Sequence, residues 1–192
     1  MNALILQNRH TGERLELRRV THDGQTRLAI RGTLPPHQQG PPLHVHFAEL
    51  EEGHVLTGTL HAVVDGRTLQ IRAGGTARFP IGSAHRWWNG GDDLLIVEGF
   101  ATPVIDLDRY LESAFEVLNH GAPNRPPLFY IAHIAWRHRR TQGILLMPRP
   151  IQNVLFPLIV LIGTVFGVYR GNDWPGAPAR STGAPVVVSE DV

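Results

Sequence analysis

The residues best suited to chemistry lie between Gly40 and Asn89, where two histidine clusters bracket a β-rich stretch. The first holds His44, His46, Glu51 and Gly58, and the second holds Gly74, Pro80, Gly82, His85 and Asn89. Side chains alternate along a strand, so His44 and His46 share one wall while Val45 faces the other. Glu51 on the next strand, and His85 beyond the turn from Pro80 to Ser83, can complete a pocket of three imidazoles and one carboxylate. That donor set suits a divalent ion such as Fe, Mn, Co, Ni or Zn, and it leaves open positions for a substrate or dioxygen. Two histidines among 11 carry little weight by themselves. Glu51, His85 and the glycine and proline frames around them turn the pair into a site.

These residues need a scaffold of short strands, and the surrounding sequence reads that way. From Ala3 to Gly99, brief apolar or alternating runs are separated by Asp23-Gly24, Pro35-Pro36, Asp65-Gly66, Gly74-Gly75 and Gly90-Gly91. Asp65-Gly66 marks the clearest hairpin, because a two-residue turn needs positive φ at both positions. Many short strands with regular turns predict a sandwich or barrel. Trp87 and Asn89 share the parity of His85 and are expected to line the pocket. His54 has the opposite parity from Glu51 and is expected to face outward, and Glu98 is read as a solvated carboxylate near a strand end.

After Pro103 the pattern changes. Asp106 to Asn119 has helical spacing, with Asp106 as the expected N-cap and Gly121 past the end. Leu128 to Arg140 reads as a second helix. Residues 151–169 carry no charge and are flanked by Arg149 and Arg170. As a helix they would extend roughly 28 Å, near the ~30 Å bilayer core, so the run reads either as a transmembrane helix or as a helix clamped on the barrel. In the spanning reading, Tyr169 and Trp174 mark the far interface and the basic residues before the helix keep the barrel in the cytoplasm. The expected division is a barrel over 1–104, a helical extension over 105–170 and a disordered tail over 171–192.

With 192 residues and 42% hydrophobic composition, the chain supports one sizeable core and an appendage. A net charge of +1 and the lack of an aromatic-lined basic groove argue against nucleic acid as a partner. The absence of cysteine rules out disulfides, thiolate nucleophiles and thiolate metal ligands. No phosphate loop, dinucleotide fingerprint or nucleophile elbow is present.

At its two histidine clusters the sequence resembles the cupin superfamily, in the conserved single-domain form called cupin 2. His44, His46, Glu51 and Gly58 fit the family's first motif, and Gly74, Pro80, Gly82, His85 and Asn89 fit its second. Gln38 stands where the family usually has glycine, and Gly53-His54 where many relatives carry an aromatic residue. The resemblance covers about residues 34–103. It implies a mainly β fold, a small antiparallel jelly-roll barrel, with His44, His46, Glu51 and His85 as metal ligands.

The expected function is that of a metal-binding enzyme acting on a small organic acid, enol or phenol-like substrate. Its reaction would be that of a dioxygenase, an isomerase or a decarboxylase, with Glu51 as the ligand able to detach and serve as catalytic base. The alternative is a non-catalytic module that captures or senses a small ligand while anchored to a membrane. Expected partners are the small molecule, a membrane surface and a second copy of the chain as a homodimer.

Overall fold

The computed structural model describes residues 3–22, 24–122, 127–145, 147–171 and 173–178. Its strands are β1 (Leu4–Gln7), β2 (Arg14–His22), β3 (Gln25–Leu34), β4 (His44–His46), β5 (Leu50–Thr57), β6 (Thr59–Val64), β7 (Arg67–Arg72), β8 (Thr76–Phe79), β9 (Ala84–Asn89), β10 (Leu95–Thr102) and β11 (Gln142–Ile144). Its helices are α1 (Leu107–His120), α2 (Leu128–Arg137) and α3 (Arg149–Val165). One antiparallel sheet runs β1-β2-β3-β10-β5-β8 and the other β11-β4-β9-β6-β7. The architecture is the expected mainly β jelly roll with a C-terminal helical extension. That extension contributes β11 to the second sheet, where it pairs with the histidine-bearing β4.

Alternation builds the core. On β8, Ala77 and Phe79 are buried while Thr76 and Arg78 are exposed, and Leu15 and Leu17 of β2 point inward together. Leu34, Val55, Leu60, Ala62, Ala77, Phe79 and Leu95 form one apolar cluster. A second joins Leu6, Leu15, Leu17, Leu28 and Ala101 to Leu107 and Phe115 of α1. Asp65 and Gly66 both adopt positive φ, 48° and 79°, in the β6–β7 turn, as their dipeptide predicts. His54 is exposed, and Glu98 lies at the surface beside Arg31.

Asp106 occupies the N-cap position of α1 but makes no capping bond with its side chain. Its Oδ2 lies 2.6 Å from Nδ1 of the buried His138 instead. Glu49, fully buried, takes over the helix end: its Oε1 accepts the backbone N–H of Ile105 at 2.8 Å and that of Leu107 at 3.3 Å. A carboxylate is well placed there, because the first amides of a helix lack partners within it and carry partial positive charge.

The membrane-span reading of residues 151–169 is corrected. No helix among the described residues is long and apolar enough to cross a membrane. Helix α3 ends at Val165, and its 17 residues extend about 26 Å. Gln152 is buried and donates to the carbonyls of Ile144 and Met147, both at 2.7 Å, which ties the start of the helix to the domain. The two aromatic residues expected at a membrane interface pack inward. Tyr169 donates its hydroxyl to the Phe129 carbonyl at 2.8 Å and lies against Gly163, and Trp174 stacks on Tyr130. The opposite face of α3 exposes Ile151, Val154, Leu158, Leu161 and Val165. Most of the tail expected to be disordered, residues 179–192, lies outside the described residues.

Candidate metal centre

His44 and His85 sit directly opposite one another in the β4–β9 ladder. Their rings are 4.2 Å apart, and His46 completes the triangle at 4.9 and 5.1 Å. Phe79, paired with Glu51 across β5 and β8, stacks on the His85 ring at 4.5 Å. One ligand atom from each of His44, His46, Glu51 and His85 can be chosen so that all lie within 4.8 Å of one another.

The backbone fixes which nitrogen of each imidazole faces the centre. Nδ1 of His44 lies 2.8 Å from the Pro42 carbonyl, and Nδ1 of His85 lies 3.0 Å from the Ser83 carbonyl. A carbonyl can only accept, so both Nδ1 atoms carry the proton and each Nε2 presents a lone pair. His46 directs Nδ1 to the side-chain carbonyl of Gln142, its register partner on β11. Gln142 in turn donates Nε2 to Glu49 Oε2 at 2.6 Å. The Nε2 atoms of His46 and His85 are buried and have no hydrogen-bond partner. That of His46 lies 3.2 Å from Glu51 Oε2, without hydrogen-bond geometry. Buried polar atoms are rarely left without a partner, and nitrogen lone pairs converging beside a carboxylate are what a divalent cation completes. The residues therefore fit such an ion.

The electrostatics favour the ligand forms at three of the four positions. Burial, with His85 and His46 nearby, pushes the His44 imidazole down to about 3. Burial also lowers His85, against the opposing pull of Glu51. Burial would raise Glu51, but its contact with His46 and the surrounding imidazoles outweigh this and hold it at about 2. Burial disfavours charge on His46 too, and there the Glu51 carboxylate prevails and raises it.

The site opens on a cavity of about 390 Å³ that reaches between the sheets and under α1. Trp87 lines it, as its strand parity predicts. Asn89 does not, which corrects the expectation that it faces the pocket. It is fully buried, and its Nδ2 is directed at the carbonyls of Leu34, Pro35 and Asp93 at 2.8 to 3.1 Å, so it holds two loops together.

The family model described as "Cupin domain" matches residues 30–98. Residues 30–98 form a cupin domain. Solved cupin-like structures similar to this chain include a predicted oxalate decarboxylase from Thermotoga maritima, with 23% identity over 54% of this chain and 94% of that one and a TM-score of 0.43. KdgF from Halomonas sp. has 19% identity over 49% of this chain and 83% of that one, with a TM-score of 0.41. A protein from Acidithiobacillus ferrooxidans has 21% identity and a TM-score of 0.39 over 44% of this chain, which spans about half of that protein, 54%. No curated protein matches this chain.

Glu49 and Gln142 are the functional residues that the sequence reading misses. Glu49 sits between two ligands in the first motif, where its burial has no local signal. Gln142 lies 96 residues from His46 and outside the matched segment.

Proposed function

We propose that this cupin is a metal-dependent enzyme acting on a small organic acid, enol or phenol-like substrate, of oxygenase or isomerase type. The observation that carries the reading is the shared tautomer of His44, His46 and His85. All three direct Nδ1 at an oxygen that can only accept, and Nε2 of His46 and His85 lies 3.2 and 3.9 Å from Glu51 Oε2. His44, His46, Glu51 and His85 would hold the ion, which when bound supplies Lewis acidity or a place for dioxygen. The chain's own part is to orient these donors, to keep His44 and His85 neutral, and to surround the substrate with the apolar walls of the cavity. Glu51 is the member with some access to solvent, 22% of its side chain, so it is the donor a bound acid would approach first.

Elemental analysis of the full chain, reconstituted anaerobically, tests the reading. The wild type should retain one divalent ion per chain and His46→Ala should lose it; no stoichiometric metal in the wild type rejects it. Dioxygen uptake with candidate substrates then separates oxygenase from isomerase.

A non-catalytic ligand-binding module is favoured by one observation, the exposed stripe of α3. Ile151, Val154, Leu158, Leu161 and Val165 recur at alternating spacings of three and four, the seam by which one helix packs on another, and a second copy of the chain suits it. Sedimentation velocity should then show a dimer that Val154→Glu dissociates. A monomeric wild type removes this support.

A further inference from the structure

The cavity has a second set of polar residues that the metal centre does not use. Asn8, His10, Thr11 and Glu13, from the turn joining β1 to β2, line the same cavity as His44, His46 and Glu51. The rest of the walls are largely apolar, with Leu15, Leu34, Leu95 and Val97 among them.

Glu13 is only 7% exposed, and among the described residues its carboxyl group has no hydrogen-bond or ion-pair partner. Its backbone is nonetheless fixed. The N–H donates to Thr11 Oγ1 at 3.2 Å, and the carbonyl accepts from Asn8 N–H at 2.8 Å. Glu13 thus precedes Leu15 and Leu17 in the row of β2 side chains that face inward. The turn is itself anchored to the end of α1. Arg9 N–H donates to Asn119 Oδ1 at 2.8 Å, and Asn119 Nδ2 donates to the Gln7 carbonyl at 2.7 Å. Burial, together with repulsion from Glu51, pushes the Glu13 carboxyl up to about 7. A carboxyl that meets solvent only inside a largely apolar cavity is poorly solvated, and a ligand group entering there would satisfy it.

The chemistry of Glu13 narrows that group. A carboxylate on the ligand could bond only to protonated Glu13, and an ammonium would pair best with the ionised form. A hydroxyl can donate to the ionised form and accept from the protonated one, so it is bound in either state. We infer that Glu13 is the second recognition point of the cavity, binding a hydroxyl at the far end of an otherwise apolar organic acid or phenol whose acidic oxygen sits at the histidine centre. This rests on reading that centre as a metal site.

The test uses the full chain loaded with Co²⁺ and titrated calorimetrically with straight-chain alkanoates and with ω-hydroxyalkanoates of matched length. Wild type should bind the best-fitting hydroxy acid about three- to tenfold more tightly than its plain counterpart, the range of one hydrogen bond. Glu13→Leu should abolish that preference. Glu13→Gln, which can both donate and accept, should keep most of it. Equal affinities in the wild type, no binding of either series to Co²⁺-loaded protein, or a preference that survives Glu13→Leu would each overturn the inference. So would a lower melting temperature for both variants, which would give Glu13 a structural role. Failure to retain Co²⁺ at all rejects the metal centre itself, and with it the inference.

Discussion

Gln142 donates to Glu49 at 2.6 Å, and this bond joins the histidine-bearing face of the barrel to the first turn of α1. On one side Gln142 accepts the Nδ1 proton of His46. On the other, Glu49 receives the amides of Ile105 and Leu107. His46, Gln142 and Glu49 are all buried, so losing one member leaves its partners' polar atoms unsatisfied inside the protein.

Gln142→Leu should therefore weaken metal binding by about 10- to 100-fold, the usual effect of removing the group that orients a ligating histidine. Competition with a chromophoric chelator measures it. An unchanged affinity would show that β4 alone orients His46.

Glu49→Ala removes the acceptor for two backbone amides and for Gln142, and should cost about 2–4 kcal/mol of stability by urea denaturation. Glu49→Gln keeps one acceptor oxygen and should lie between that variant and the wild type. An alanine variant as stable as the wild type would disprove the capping role.

Glu13 should make stability fall with rising pH. Its folded carboxyl is raised to about 7 from an ordinary 4.5, so between those values the folded chain holds a proton that the unfolded chain has released. The contribution is complete below 4.5 and lost as pH rises through 7, and it amounts to about 3 kcal/mol. Urea melts of wild type and Glu13→Gln should thus diverge in favour of the variant on going from about pH 5 to about pH 8. Parallel stabilities across that range would refute the shift.

Gly99 and Gly66 should respond differently to alanine. Gly99 pairs with Gly53 in the β10–β5 ladder, and a Cβ on it would collide with the Glu52 carbonyl. Backbone cannot yield as a side-chain tip can, so Gly99→Ala should cost more than about 3 kcal/mol and distort the strand beside Glu51. Gly66 faces open space and is strained only by its φ of 79°, so Gly66→Ala should cost about 1 kcal/mol. Equal costs by chemical denaturation would contradict this assignment.

What was legible in the sequence was local. Strand parity put His44 and His46 on one wall, and Asp65-Gly66 marked its hairpin because both residues tolerate positive φ. Distant pairing outside the two histidine motifs was not legible. Gln142 is an ordinary glutamine until β11 lies beside β4, and Asp106 resembles a helix cap until His138 claims it. Residues 151–169 suggested a bilayer because a run without charge looks the same whether lipid or protein covers it. Burial of Gln152 and the close approach of Tyr169 to Gly163 identify protein on one side.

The position of β11 also orders events during synthesis. It is the last strand among the described residues, yet its neighbour β4 was translated about a hundred residues earlier. A nascent chain halted just before Gln142 already holds all four donor side chains, but β4 has a bare edge and the Nδ1 proton of His46 has no acceptor. If the four donors take up metal, such a chain would be poorly prepared to do so, and loading would follow the synthesis of β11.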